Sequence, residues 1–141
     1  MRAEIISVGT ELLLGQIVDT NAVYLSQELA SLGIGLYRRS TVGDNPHRLR
    51  EAIEEALGRA ELVITSGGLG PTEDDLTKET VAQVLGLPLV LDQPSLDWIR
   101  TYFTKMGRKM TENNYKQALI PEGGKALANP KGTAPGIAVK A

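Results

Sequence analysis

The strongest constraint on this chain is an alternation of patterns. The runs AEIISV (3–8), IGLYRRSTV (34–42) and ELVIT (61–65) read as strands and are separated by stretches with helical periodicity. Between the first two runs, Ala22, Leu25, Leu29 and Leu32 recur at helical spacing, and Gly33 marks a C-terminal stop. After the turn GDNP (43–46), Leu49, Ala52, Ile53, Ala56 and Leu57 form one apolar stripe. Arg48, Arg50, Glu51, Glu54 and Glu55 take the other side. Strands alternating with amphipathic helices predict a parallel sheet covered on both faces, an α/β fold.

Further along, the pattern predicts a helix over 76–85 ending at Gly86 and a strand over 87–91. A helix opened by Pro94 follows, with Leu96, Ile99, Phe103 and Met106 on one face, then a helix over 111–119 and a turn at PEGG (121–124). Trp98 and Phe103 read as core residues and His47 as a surface residue. A length of 141 residues suits one domain, 1–141. Because the chain stops just after the apolar run beginning at Ile137, a domain truncated at its C-terminal end is expected.

Composition removes several classes of function. A net charge of −2 without a Lys/Arg block leaves no electrostatic footprint for nucleic acid. No stretch has the apolar length of a membrane span, and the first residues lack a signal-peptide layout. With no cysteine and a single histidine, disulfides, thiolate sites and His-based metal clusters are excluded. The expectation is a cytoplasmic protein with neither nucleic-acid nor membrane partners.

In a parallel α/β sheet the ligand crevice lies at the carboxyl ends of the strands, so the loops 9–21, 43–46, 66–75 and 129–136 carry the interest. SGGLGPTEDD (66–75) places glycines where backbone N–H groups can converge on an anion, then ends in acids. It has neither the dinucleotide fingerprint nor the Walker lysine. Its structural alternative is a strand-to-helix turn in which Thr72, Asp74 or Asp75 caps the next helix. In GTELLLGQIVDTN (9–21), Gly9 and Gly15 permit close backbone approach, and Thr10, Glu11, Asp19, Thr20 and Asn21 offer polar groups. Capping by Asp19 or Thr20 and core packing of Leu12 to Leu14 would explain most of that loop, though not Glu11. Asp44 or Asn45 is positioned to cap the helix after GDNP. In NPKGTAPG (129–136), Lys131 is the only nearby cation.

Taken together, SVGTELLLGQIVDTN, VGDN, ITSGGLGPTEDDLTKE and NPKGTAPG resemble, in order and spacing, the N-terminal domain of the competence/damage-inducible protein A (CinA) family. That family belongs to the molybdopterin-binding superfamily, beside MoaB, MogA and gephyrin-like domains, and GGLGPTEDD in place of a GGTG-type loop points to the CinA branch. The resemblance implies a three-layer α/β/α sandwich with a mostly parallel central sheet, MogA/MoaB-like. It implies hydrolysis of a nucleotide pyrophosphate such as ADP-ribose, assisted by Mg²⁺ or another divalent metal. Asp75 matches the acid of the relatives' glycine-loop motif and Asp44 a second acid in their site, the catalytic candidates. Asp74 and Asp75 are the candidate metal ligands, with the division between ligand and base among Asp44, Asp74 and Asp75 left open by the sequence. Ser66, Gly67, Gly68 and Gly70 would bind phosphate, joined by Gly9, Thr10, Glu11, Asp19 and Asn21 from the first loop and Thr133 from the last. The alternatives are a molybdopterin-binding or adenylyl-transfer domain acting on a pterin, and a non-catalytic nucleotide-binding module. Self-association is expected from the family, with Trp98, Tyr102 and Phe103 on the helix 94–107 as interface candidates. CinA proteins commonly carry a second domain that deamidates nicotinamide mononucleotide, and their N-terminal domain runs past residue 141, in line with the expected truncation.

Overall fold

Strand β1 (Arg2–Val8) is the middle strand of a parallel sheet in the computed structural model, which describes residues 1–141. It is flanked by β2 (Gly35–Val42) and β3 (Leu62–Ser66), in the order β2-β1-β3. Every residue of β1 from Ala3 onward is buried, as a strand covered on both faces must be. Successive side chains of a strand point to opposite faces. Ala3 and Ile5 therefore share one face, where they pack against Ala22 and Leu29 of α2 (Thr20–Ser31). Glu4 lies on the other face, paired with Arg59 just beyond α3 (Pro46–Leu57), so α3 covers that side with Leu49, Ile53 and Ala56. Helix, sheet and helix make the three layers that the sequence pattern predicts.

The chain forms two compact units, Met1–Gly68 and Leu69–Ala141. The parallel sheet belongs to the first, with a short helix α1 (Thr10–Leu13) inside the first loop that the apolar pattern does not announce. The second unit contains α4 (Thr77–Leu85), closed by Gly86 in the left-handed conformation, β4 (Leu89–Leu91), α5 (Gln93–Met106) and α6 (Glu112–Lys116). It continues with β5 (Leu119–Pro121), β6 (Lys125–Leu127) and β7 (Gly136–Ala138). Its strands form two antiparallel pairs, β4-β5 and β6-β7. Leu96, Ile99 and Ala118 are its apolar centre, with Phe103 and Met110 packed against them.

Three expectations change in this second unit. The helix predicted over 111–119 stops at Lys116, because Leu119 and Ile120 are taken into an antiparallel ladder with β4. Tertiary pairing overrides local helical preference there. The loop 129–136 joins the antiparallel strands β6 and β7, and so is not at the end of a parallel strand. Trp98 is not a core residue: it is 39% exposed and donates its indole N–H to the Gly132 carbonyl at 2.8 Å. His47 lies on the surface as expected, beside Glu51 one helical turn away. No helix is long and apolar enough to cross a membrane.

Candidate functional site

In the first unit, the register Val8↔Val42 and Ser7↔Ser66 brings the carboxyl ends of all three parallel strands to one edge. The Gly9 N–H donates to the Val42 carbonyl at 2.9 Å and closes that edge. Beside it, Thr10 and Asp44 are tied together. The Asp44 N–H donates to Thr10 Oγ1 at 3.0 Å, and the Thr10 N–H donates to Asp44 Oδ2 at 3.4 Å. Asp44 is thus held by the first loop and does not cap α3. Asn45 caps it instead, its Oδ1 accepting from the Arg48 N–H at 3.0 Å.

Asp19 caps α2 by accepting from the Ala22 N–H at 3.0 Å. Asn21, in the first turn of that helix, donates to Ser66 Oγ at 3.4 Å, linking the first loop to the start of the glycine loop. The Glu11 carboxylate stands over Gly9: a Cβ there would lie 2.6 Å from Glu11 Oε1. Leu13 and Leu14 are 50% and 65% exposed, so they do not pack on the core as their composition suggests. Gly67 adopts φ +100°, and a Cβ on it would meet the Val8 carbonyl oxygen at 2.2 Å. Only glycine fits that turn.

In the second unit the loop continues from Leu69 to Asp75. Asp75 Oδ2 accepts from the Thr72 N–H at 3.0 Å and from the Thr72 hydroxyl at 2.7 Å, closing a tight turn around the acid. The cap position of α4 is Leu76, without a side-chain hydrogen bond, so the capping role considered for Thr72, Asp74 and Asp75 does not hold. The Asp75 carboxylate stands over Gly70, where a Cβ would lie 2.6 Å from Oδ2. Asp74 is exposed beside it.

Two amides missed by sequence reading organise the loops of the second unit. Buried Gln117 donates from Nε2 to the Leu69 carbonyl at 3.3 Å. Its Oε1 accepts from Thr133 Oγ1 at 3.0 Å and from Asn114 Nδ2 at 3.4 Å. Asn114, also buried, completes a capping box with Thr111. Thr133 is thereby connected to the glycine loop through one side chain. A neutral amide in a short helix leaves no periodic or charge signal, and burial is visible only in the fold.

The first turn of α4 is unusually polar inside. Lys78 is buried, its Nζ donating to the Lys116 carbonyl at 2.6 Å, and burial pushes its pKa below the ordinary lysine value. Lys116 pairs with Glu79 at 3.4 Å, while Thr77 Oγ1 and Glu79 Oε2 are buried without a hydrogen-bond partner. No three His, Cys, Asp or Glu side chains converge as a ready metal cage. Mg²⁺ does not require one, since it typically keeps waters and takes one or two carboxylates together with substrate phosphates. Exposed Asp74 and the Asp75 carboxylate, both of whose hydrogen bonds fall on Oδ2, fit that donor set.

The profile of the probable molybdopterin binding domain matches residues 4–141. A competence-damage inducible protein of Acetivibrio thermocellus is 56% identical over 99% of this chain, which spans only 34% of that relative's length. The chain therefore covers about a third of the curated relatives it matches. The crystal structure of CinA from Thermoplasma acidophilum, described as a protein of unknown function, superposes with a TM-score of 0.89 at 37% identity. That match covers 99% of this chain and 82% of the other. MoaB from Thermus thermophilus shares the fold at a TM-score of 0.57 and 21% identity, over 85% of this chain and 78% of its own.

Proposed function

Since this chain belongs to the probable molybdopterin binding domain family, in its CinA branch, we propose that it binds a nucleotide pyrophosphate such as ADP-ribose and hydrolyses it. The observation that carries the reading is the acid built into the glycine loop: Asp75, held over Gly70 by both donors of Thr72. A loop meant for a bare anion would repel it with such a carboxylate, whereas a cation between acid and phosphate reconciles the two.

On this reading the backbone N–H groups of Gly67, Gly68 and Gly70 bind phosphate, helped by the hydroxyls of Ser66 and Thr133. Gly9, Thr10, Glu11, Asp19 and Asn21 serve the nucleotide from the first loop, with Asp19 doing so while capping α2. Asp74 and Asp75 would hold a divalent ion, which when bound neutralises phosphate charge and acidifies water. A water attacks one phosphorus, the bridging P–O bond breaks, and AMP and ribose 5-phosphate leave. A carboxylate, Asp44 or Asp75, takes the proton of that water.

The test is release of AMP from ADP-ribose with Mg²⁺, comparing the chain with its Asp75→Asn and Asp44→Asn variants. A reading as hydrolase requires turnover that either substitution lowers by about 10²-fold or more. Nucleotide binding without turnover would leave a binding module. The family description itself favours a second reading, a pterin-handling domain, and binding of a pterin but no nucleotide in calorimetry would select it.

A further inference from the structure

The second unit holds a cavity of about 340 Å³ between the start of α5 and the β6–β7 connection, whose lining, Thr133 apart, has no role assigned above. That volume is within the range of small-molecule pockets. Its walls are largely apolar, made by Pro94, Trp98, Leu127, Pro130 and Pro135. They are also rigid. Trp98 is fixed by its hydrogen bond to Gly132, and Asn129 braces the loop by donating to the Ala134 carbonyl at 2.9 Å and accepting from the Lys131 N–H at 3.1 Å.

An indole locked at a pocket wall and partly open to solvent is a surface on which a planar ring stacks. The polar part of the lining includes Asp92 and Thr133. Asp92 receives the Ser95 N–H and hydroxyl on the same oxygen, Oδ2, so its Oδ1 is left as an acceptor for an amino group. Thr133 already belongs to the loop assigned to phosphate.

We propose that this cavity takes the flat, amino-substituted heteroaromatic ring of the ligand, stacked on Trp98 with its amino group toward Asp92. The inference rests on the nucleotide reading above and names where the base sits. Adenine and pterin share this chemistry, and the assay separates them.

Trp98 is the only tryptophan in the chain, so its fluorescence reports the cavity without requiring turnover. AMP should quench it saturably, while ribose 5-phosphate and inorganic phosphate at equal concentration should not. Quenching by a pterin in place of AMP supports the cavity and reassigns the ring. In calorimetry, Trp98→Ala should weaken AMP binding by about tenfold or more. Ala128→Phe, a filling change at an exposed wall position, should do the same while the far-UV spectrum stays unchanged. ADP-ribose binding that is full in both variants and silent at Trp98 would overturn the cavity assignment and leave the hydrolase reading standing. Absence of any nucleotide or pterin binding would remove both.

Discussion

Gln117→Leu tests whether one buried amide ties the glycine loop to the last loop. The substitution keeps the side-chain volume and removes three hydrogen bonds, to the Leu69 carbonyl at 3.3 Å, from Thr133 at 3.0 Å and from Asn114 at 3.4 Å. A typical bond contributes about 1 kcal/mol net, and the two longer ones roughly half of that. Asn114 Nδ2 is then stranded in a buried place, which costs about 1–3 kcal/mol more, partly offset by the new apolar side chain. The expected loss is about 2–4 kcal/mol. At a urea slope of about 2 kcal/mol/M this lowers the midpoint by roughly 1–2 M. Trp98 fluorescence is the right probe, because Trp98 and Gln117 lie in the same compact unit. Thr133→Val removes one bond and leaves Gln117 its other two, so it should cost about 1 kcal/mol. A Gln117→Leu loss below about 0.5 kcal/mol, or a larger loss for Thr133→Val, would refute the reasoning.

Three further outcomes follow from the same geometry. Arg59→Met leaves the Glu4 carboxylate buried in the central strand without its guanidinium and should lower the urea midpoint by more than Glu4→Gln does. Arg2 holds the Glu61 carboxyl down at about 2, mainly through side-chain and backbone hydrogen bonds. A depressed carboxyl stabilises the fold fully above its unfolded value of 4.5 and loses that contribution as pH falls toward about 2. Glu61→Gln should therefore flatten acid unfolding across that window, read by circular dichroism. Gly67→Ala should abolish or severely weaken folding, whereas Gly70→Ala should fold and lose mainly ligand binding, as thermal melts and calorimetry on the pair would show.

The first unit was legible because its elements announce themselves locally. Ala22, Leu25 and Leu29 repeat at helical spacing, and the runs that become β1, β2 and β3 are bounded by turn residues and helical stretches. The second unit was less so, since strands of three residues carry too few positions for a period. Leu119 continues the helical reading until pairing with β4 claims it. Proximity to a helix start finds the caps Asp19 and Asn45 but not the roles of Asp44 and Asp75. The difference lies in partners distant in sequence or folded backward: Thr10 for Asp44, and Thr72 for Asp75. Trp98, read with Phe103 as core, gives no local sign of the carbonyl it meets at Gly132.

The glycines of the candidate site serve two separate physical ends. Gly67 is required by its backbone, with a positive φ and a carbonyl oxygen where a Cβ would stand. Gly9 and Gly70 lie outside the left-handed region, and what a Cβ would strike is in each case a carboxylate oxygen, of Glu11 and of Asp75. Their missing side chains make room for acids. The same device therefore occurs once in each compact unit, on a parallel-strand end in the first and inside the glycine loop in the second. A carboxylate repels a phosphate directly, and the proposed function resolves that repulsion with a shared cation. In SGGLGPTEDD, then, Gly67 shapes the turn and Gly70 seats the acid, which is what the proposed cation-assisted reading needs.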